Sequence, residues 1–171
     1  FRRVLFRSRK SNLFLGLFVS SVMLFSCKSD TEQEEIKTPE IEFTKEGELS
    51  LIKPTGDTVK QLDIEIADTP YERETGLMYR ESMEDDQGML FIYNNAAPRA
   101  FYMKNTYIPL DIIYFGSDSL AINFIKNAEP MDETALPSEG PAQFILEING
   151  GLSDEWGLEP GDKIWFTRTD E

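Results

Sequence analysis

Asp111 and Glu147 are single carboxylates inside apolar runs, LDIIYF at 110–115 and FILEI at 144–148. Two such carboxyls, one giving a proton and one attacking or activating water, are the ingredients of general acid/base hydrolysis such as glycoside cleavage. Arg73, Arg80 and Asp162 are embedded in the same way. An arginine beside a carboxylate lowers its pKa and weakens it as a general acid. The preferred reading is therefore a structural network of arginines and carboxylates, with a hydrolase using Asp111 and Glu147 as the alternative. Met78, Met89 and Met103 offer three soft thioethers, a donor set that suits Cu(I). They stand beside Leu77, Leu90 and Tyr102, company in which methionine usually fills gaps in a core. A third arrangement is a polar cleft for a small ligand or glycan, with Arg80, Tyr102, Asn105, Thr106 and Asp111 as binding residues and Tyr79, Phe101 and Tyr107 as aromatic neighbours. Trp156 and Trp165 read as packing residues.

The rest of the composition narrows the chemistry. Histidine is absent and cysteine occurs once, which excludes His-dependent triads, imidazole-ligated metals and an intrachain disulfide framework. No cofactor is implied. Seventeen basic against 31 acidic residues give a formal net charge of −14, which argues against a nucleic-acid partner, because phosphate binding needs clustered Lys and Arg.

The elements that must position these residues are mainly strands. Leu49 and Leu51 alternate with polar neighbours, PTGD at 54–57 makes a turn, and Leu62, Ile64 and Ile66 alternate in turn, so a hairpin is predicted. Thr69, Pro70 and Glu72 form an N-cap, a proline at the first helical position and an acid three residues beyond the cap, predicting a helix over 70–79. Short apolar or alternating runs at 89–93, 100–103, 110–115, 121–125, 144–148 and 163–167 are separated by turn-forming residues. Seven or eight such strands indicate a mainly β sandwich or barrel with one short helix.

The N-terminal third has a different character. FRRVLFRS at 1–8 looks like a translated sequencing-library adapter and is set aside. Residues 9–26 combine a basic start with an apolar stretch at 13–25 that is too short for the roughly 30 Å hydrocarbon core of a bilayer. LFSC at 24–27 resembles a bacterial lipobox, with Phe25 as its departure from the pattern. The expectation is a lipoprotein signal peptide cleaved before Cys27, and acyl chains on Cys27 that anchor the chain stably to the membrane. Residues 27–47 are then the lipidated Cys and an acidic flexible tether, and 48–171 the folded domain. The acids after Cys27 resemble signals that send some lipoproteins to the cell surface, so the expected location is the cell envelope, facing the periplasm or the outside.

RETGLMYR at 73–80, GMLF at 88–91, FYMKNT at 101–106 and PLD at 109–111 closely resemble the signature of the domain of unknown function 192 family. Ala128 with Pro130, Leu146 with Glu147, Gly150, and Gly161 with Asp162 follow in the family's order, covering about residues 59–166. The resemblance implies a compact jelly-roll-like β domain, often exported, with no agreed activity. The expected function is non-catalytic binding of a small molecule, a glycan or another envelope protein.

Overall fold

The computed structural model describes residues 41–169, all within one compact unit, Thr38–Glu171. The adapter-like start, the export signal, Cys27 and most of the acidic tether lie outside the described residues. In chain order the elements are β1 (Gly47–Ile52), β2 (Thr58–Ala67), α1 (Pro70–Thr75), β3 (Gln87–Ala97), β4 (Ala100–Phe101), β5 (Leu110–Phe115), β6 (Ala121–Ala128), β7 (Leu136–Pro137), β8 (Ala142–Asn149), α2 (Leu152–Glu155) and β9 (Lys163–Arg168). Seven strands form one sheet in the order β6-β5-β8-β3-β2-β1-β9, and β4 pairs with β7 in a small second sheet. The chain is mainly β, as its alternation predicts.

The hairpin β1–β2 closes through PTGD. Gly56, at φ +93°, donates to the Lys53 carbonyl at 2.8 Å, and Lys53 donates to the Asp57 carbonyl at 2.9 Å. β2 and β3 run parallel, which requires a crossover; α1 and the turns after it supply one. Thr69 and Glu72 form the expected capping box. The helix stops at Thr75 rather than at 79, because Gly76 adopts φ +48° and its N–H returns to the Glu72 carbonyl at 2.7 Å. This stop matters for packing: α1 buries none of its residues, whereas Leu77 just beyond it is buried against the sheet.

The large sheet is rolled until its edges meet. Gly161 donates to the Ala121 carbonyl at 2.9 Å, Ala121 to the Asp162 carbonyl at 2.7 Å and Ile164 to the Ser119 carbonyl at 3.0 Å, joining the start of β6 to β9. The inner face holds one apolar cluster with contributions from all seven strands, among them Leu49, Ile64, Leu90, Ile113, Ala121, Leu146 and Ile164. The outer face of its central strands carries a second cluster, including Leu77, Met89, Phe91, Met103, Ile112, Tyr114 and Ile145. Strand β5 is consequently buried at all six positions.

Three expectations need correction. The tether was expected to run to 47, but its end is already tied to the sheet: Thr44 N donates to Glu65 Oε1 at 3.0 Å, and Ile66 N to Glu46 Oε2 at 2.7 Å. Trp165 is 57% exposed, because position 165 on β9 points out of the barrel between Ile164 and Phe166; Trp156 does pack against the inner cluster. Strand β7 and helix α2 are additional elements, too short to show a period.

Candidate functional site

Glu147 lies toward the C-terminal end of β8, paired across the sheet with Met89 on β3 and Ile112 on β5. Directly paired residues share a face, so its side chain lies on the outer, second-cluster side. It is 5% exposed, and among the described residues no hydrogen-bond donor reaches its carboxyl. Burial disfavours the ionised form and pushes its pKa up to about 8. At neutral pH Glu147 is therefore largely a neutral carboxylic acid. The same burial raises the Tyr114 phenol, and the neighbouring Glu147 carboxyl adds to that effect.

Above Glu147 opens a pocket of about 90 Å³. One wall is the end of α1 and the following turn, from Arg73 to Met78; the other is aromatic, with Phe91, Tyr93, Phe101 and Tyr102, and Thr106 completes the rim. Gly76 is needed at this place. A Cβ there would lie 3.0 Å from the Phe91 ring and 4.0 Å from Glu147 Oε2, at a positive φ that side chains rarely adopt. The Phe91 and Phe101 rings meet edge to face with centroids 4.9 Å apart, which fixes that wall. Arg73 donates to the Asp68 carbonyl and, at 3.0 Å, to the Ile92 carbonyl, and its guanidinium lies 4.9 Å from the Tyr93 ring centre. Arg99 stacks on the same ring at 3.7 Å. Tyr93 is thereby held in place by two cations.

Of the residues expected to bind a ligand, Tyr102 and Thr106 line this pocket and the other three lie elsewhere. Arg80 is buried and pairs with Glu65 Oε2 at 2.6 Å. Asn105, at φ +55°, ties two loops together: its Nδ2 donates to the Tyr79 hydroxyl at 2.8 Å and its carbonyl accepts from Tyr79 N at 2.7 Å. Asp111 is fully buried and accepts four hydrogen bonds, from Asn127 N at 2.7 Å, Gly151 N at 3.0 Å, Ser153 N at 2.9 Å and Ser153 Oγ at 2.5 Å. That carboxylate is saturated and holds the ends of three segments.

The hydrolase alternative also fails on geometry. Asp111 pairs with Ile148 and Ile112 with Glu147, so the two carboxylates point to opposite faces of the sheet and cannot act on one bond. The expected network is present with different partners: Arg80 takes Glu65, while Asp162 takes Lys53 Nζ and Glu159 N, each at 2.8 Å. The thioethers do not line one common space: Met78 borders the pocket, Met89 and Met103 belong to the outer apolar cluster, and Met89 also borders a separate recess beyond Gly76 with Glu65 and Glu72. Among the described residues no group of three or more Asp or Glu is placed to hold a metal ion.

A family model described as "Uncharacterized ACR", DUF192, matches residues 51–166. The chain belongs to the DUF192 family. Two crystal structures share the fold of this DUF192 domain. A protein of unknown function from Novosphingobium aromaticivorans DSM 12444 is 42% identical with a TM-score of 0.66, over 69% of this chain and 83% of that one. A Sinorhizobium meliloti 1021 protein, described as a candidate transcription regulator, is 38% identical with a TM-score of 0.69, over 74% of this chain and 97% of that one. No curated protein matches the chain. All the residues that line the pocket fall inside the family segment, and the motif strings at 73–80, 88–91 and 101–106 supply most of them.

Proposed function

We propose that this DUF192 domain is a lipid-anchored envelope module that binds the head group of a small ligand in the pocket over Glu147, without catalysing a reaction on it. The observation that carries this reading is a buried carboxyl that no donor among the described residues reaches and that opens to a lined pocket. Leaving such a group without a partner costs the fold stability, and a bound ligand would offset that cost. Pocket size supports a head group over a sugar ring: about 90 Å³ is well below the roughly 150 Å³ that accepts a benzene ring. The lone Cys27 at the end of the apolar run supports the anchor. The regulator description attached to the Sinorhizobium meliloti protein finds no support in this chain's charge, 17 basic against 31 acidic residues, since DNA binding calls for the opposite balance.

The test is native mass spectrometry of the full-length protein extracted from its own envelope in mild detergent, with Glu147→Gln in parallel. A retained small ligand, lost in the variant while the fold persists by circular dichroism, is the expected result. Equal retention by both proteins would place the ligand elsewhere and end the proposal.

A further inference from the structure

The polar inventory of the pocket also says which head group fits. Its floor is a carboxyl that no protein donor reaches among the described residues; its walls are π faces and edges from Phe91, Tyr93, Phe101 and Tyr102. The charged and titratable groups around Glu147 are few. Arg73 and Glu74 come from α1, Tyr93 from β3, Arg99 on the Tyr93 ring from the connection between β3 and β4, Tyr102 from the segment after β4 and Tyr114 from β5. Arg73 is engaged by two backbone carbonyls and by the Tyr93 ring, and Arg99 is stacked on that same ring. Both guanidiniums are thus held at the Tyr93 wall, and among the described residues no cation pairs with the carboxyl on the floor.

Resting on the pocket reading above, we infer that the ligand presents an ammonium group, which donates its N–H bonds to Glu147 and packs its positive charge against the aromatic wall. Charge-assisted hydrogen bonds to a carboxylate are about twice as strong as neutral ones, and a desolvated cation against aromatic rings gains further. An ammonium with one or two attached carbons fits a space of about 90 Å³. The formal charge of −14 would concentrate cations near the domain and repel anions. The same chemistry is offered by a free amine, a lysine side chain or a chain-terminal amino group, and a ligand of the last two kinds would continue outward past Tyr102 and Met78.

Binding must remove the carboxyl proton: the neutral acid becomes a carboxylate, the proton passes to buffer, and the ammonium stays intact. The experiment is a titration of the full-length protein with ethylamine, at constant ionic strength and from pH 6 to 9, read by the amide signals of Gly76 and Leu77 and by calorimetry in two buffers of different ionisation enthalpy. For a three-atom probe a Kd of about 1 mM is the scale. Affinity is expected to rise about tenfold per pH unit between 6 and 7.5 and to level off above 8, with close to one proton released per amine at pH 7. Glu147→Gln, checked for folding by its melt, should lose the response. Acetamide serves as the neutral probe, and Nα-acetyl-lysine amide separates a tethered amine from a free one by binding more tightly than ethylamine. Binding of acetamide but not ethylamine, or amine binding without proton release, overturns the ammonium and leaves the pocket reading standing. Silence toward both probes also overturns it, while a ligand retained from the envelope would still uphold the pocket.

Discussion

Two carboxylates of the same sheet show how a side chain's neighbours decide its chemistry. Asp111 is buried among four donors; Glu147 is buried with none among the described residues, and burial pushes its carboxyl toward the neutral form. Asp111→Ala should cost about 4 kcal/mol, because three backbone N–H groups and the Ser153 hydroxyl lose their acceptor together; a urea titration measures it, and the Glu147 pocket should be unaffected. Glu147 has the opposite signature. Its pKa in the fold, about 8, lies above the ordinary carboxylate value, so the folded state holds the proton more tightly than the unfolded chain. Its contribution is fully present below about pH 4.5 and is lost as pH rises through 8, at up to about 1.4 kcal/mol per pH unit. Glu147→Gln should remove that slope and be more stable than the parent by a few kcal/mol at pH 8. Parallel pH dependence in both proteins would show that the carboxyl is ionised throughout.

At the scale of elements, the alternating runs were legible as strands because period-two patterning survives wherever one face meets solvent, as in Leu49 and Leu51 of β1. Strand β5 was found by its apolar run, but with both faces buried it shows no alternation, so the sequence does not tell which side Asp111 or Glu147 takes. That depends on the pairings Asp111 with Ile148 and Ile112 with Glu147, contacts between distant segments. The capping box at Thr69 was readable because it is local; the early end of α1 depends on Gly76 meeting Phe91, which is not. Long-range packing also explains Gly88 on β3. A Cβ there would stand 2.9 Å from the Glu147 carbonyl and 3.2 Å from Ile148, so the small residue lets β3 and β8 approach. Gly88→Ala should therefore cost about 1–3 kcal/mol and weaken ligand binding, since the strand it displaces carries Glu147. A stability loss with unchanged binding would separate the two effects and confine Gly88 to packing.

For the whole molecule, two cores share one sheet, and the pocket belongs to the outer one. The inner cluster is enclosed only if the sheet stays rolled, and the seam between β6 and β9 is short: three backbone hydrogen bonds, braced by buried Asp162 through Lys53 and Glu159. A sheet whose edges were merely close would let these amides exchange by local fraying. Opening this seam, however, exposes Ala121, Ile164 and the apolar side chains behind them, at about 25 cal/mol per Å² of apolar surface uncovered. The amides of Ala121 and Ile164 should hence exchange with solvent only at free energies near that of global unfolding, while the exposed β4–β7 pair exchanges faster. Asp162→Asn, which weakens the charged link to Lys53, should lower seam protection well before it lowers protection in β3 and β8. Exchange of Ala121 and Ile164 at loop-like rates in the parent protein would mean that the barrel is open in solution, with its inner core covered in another way.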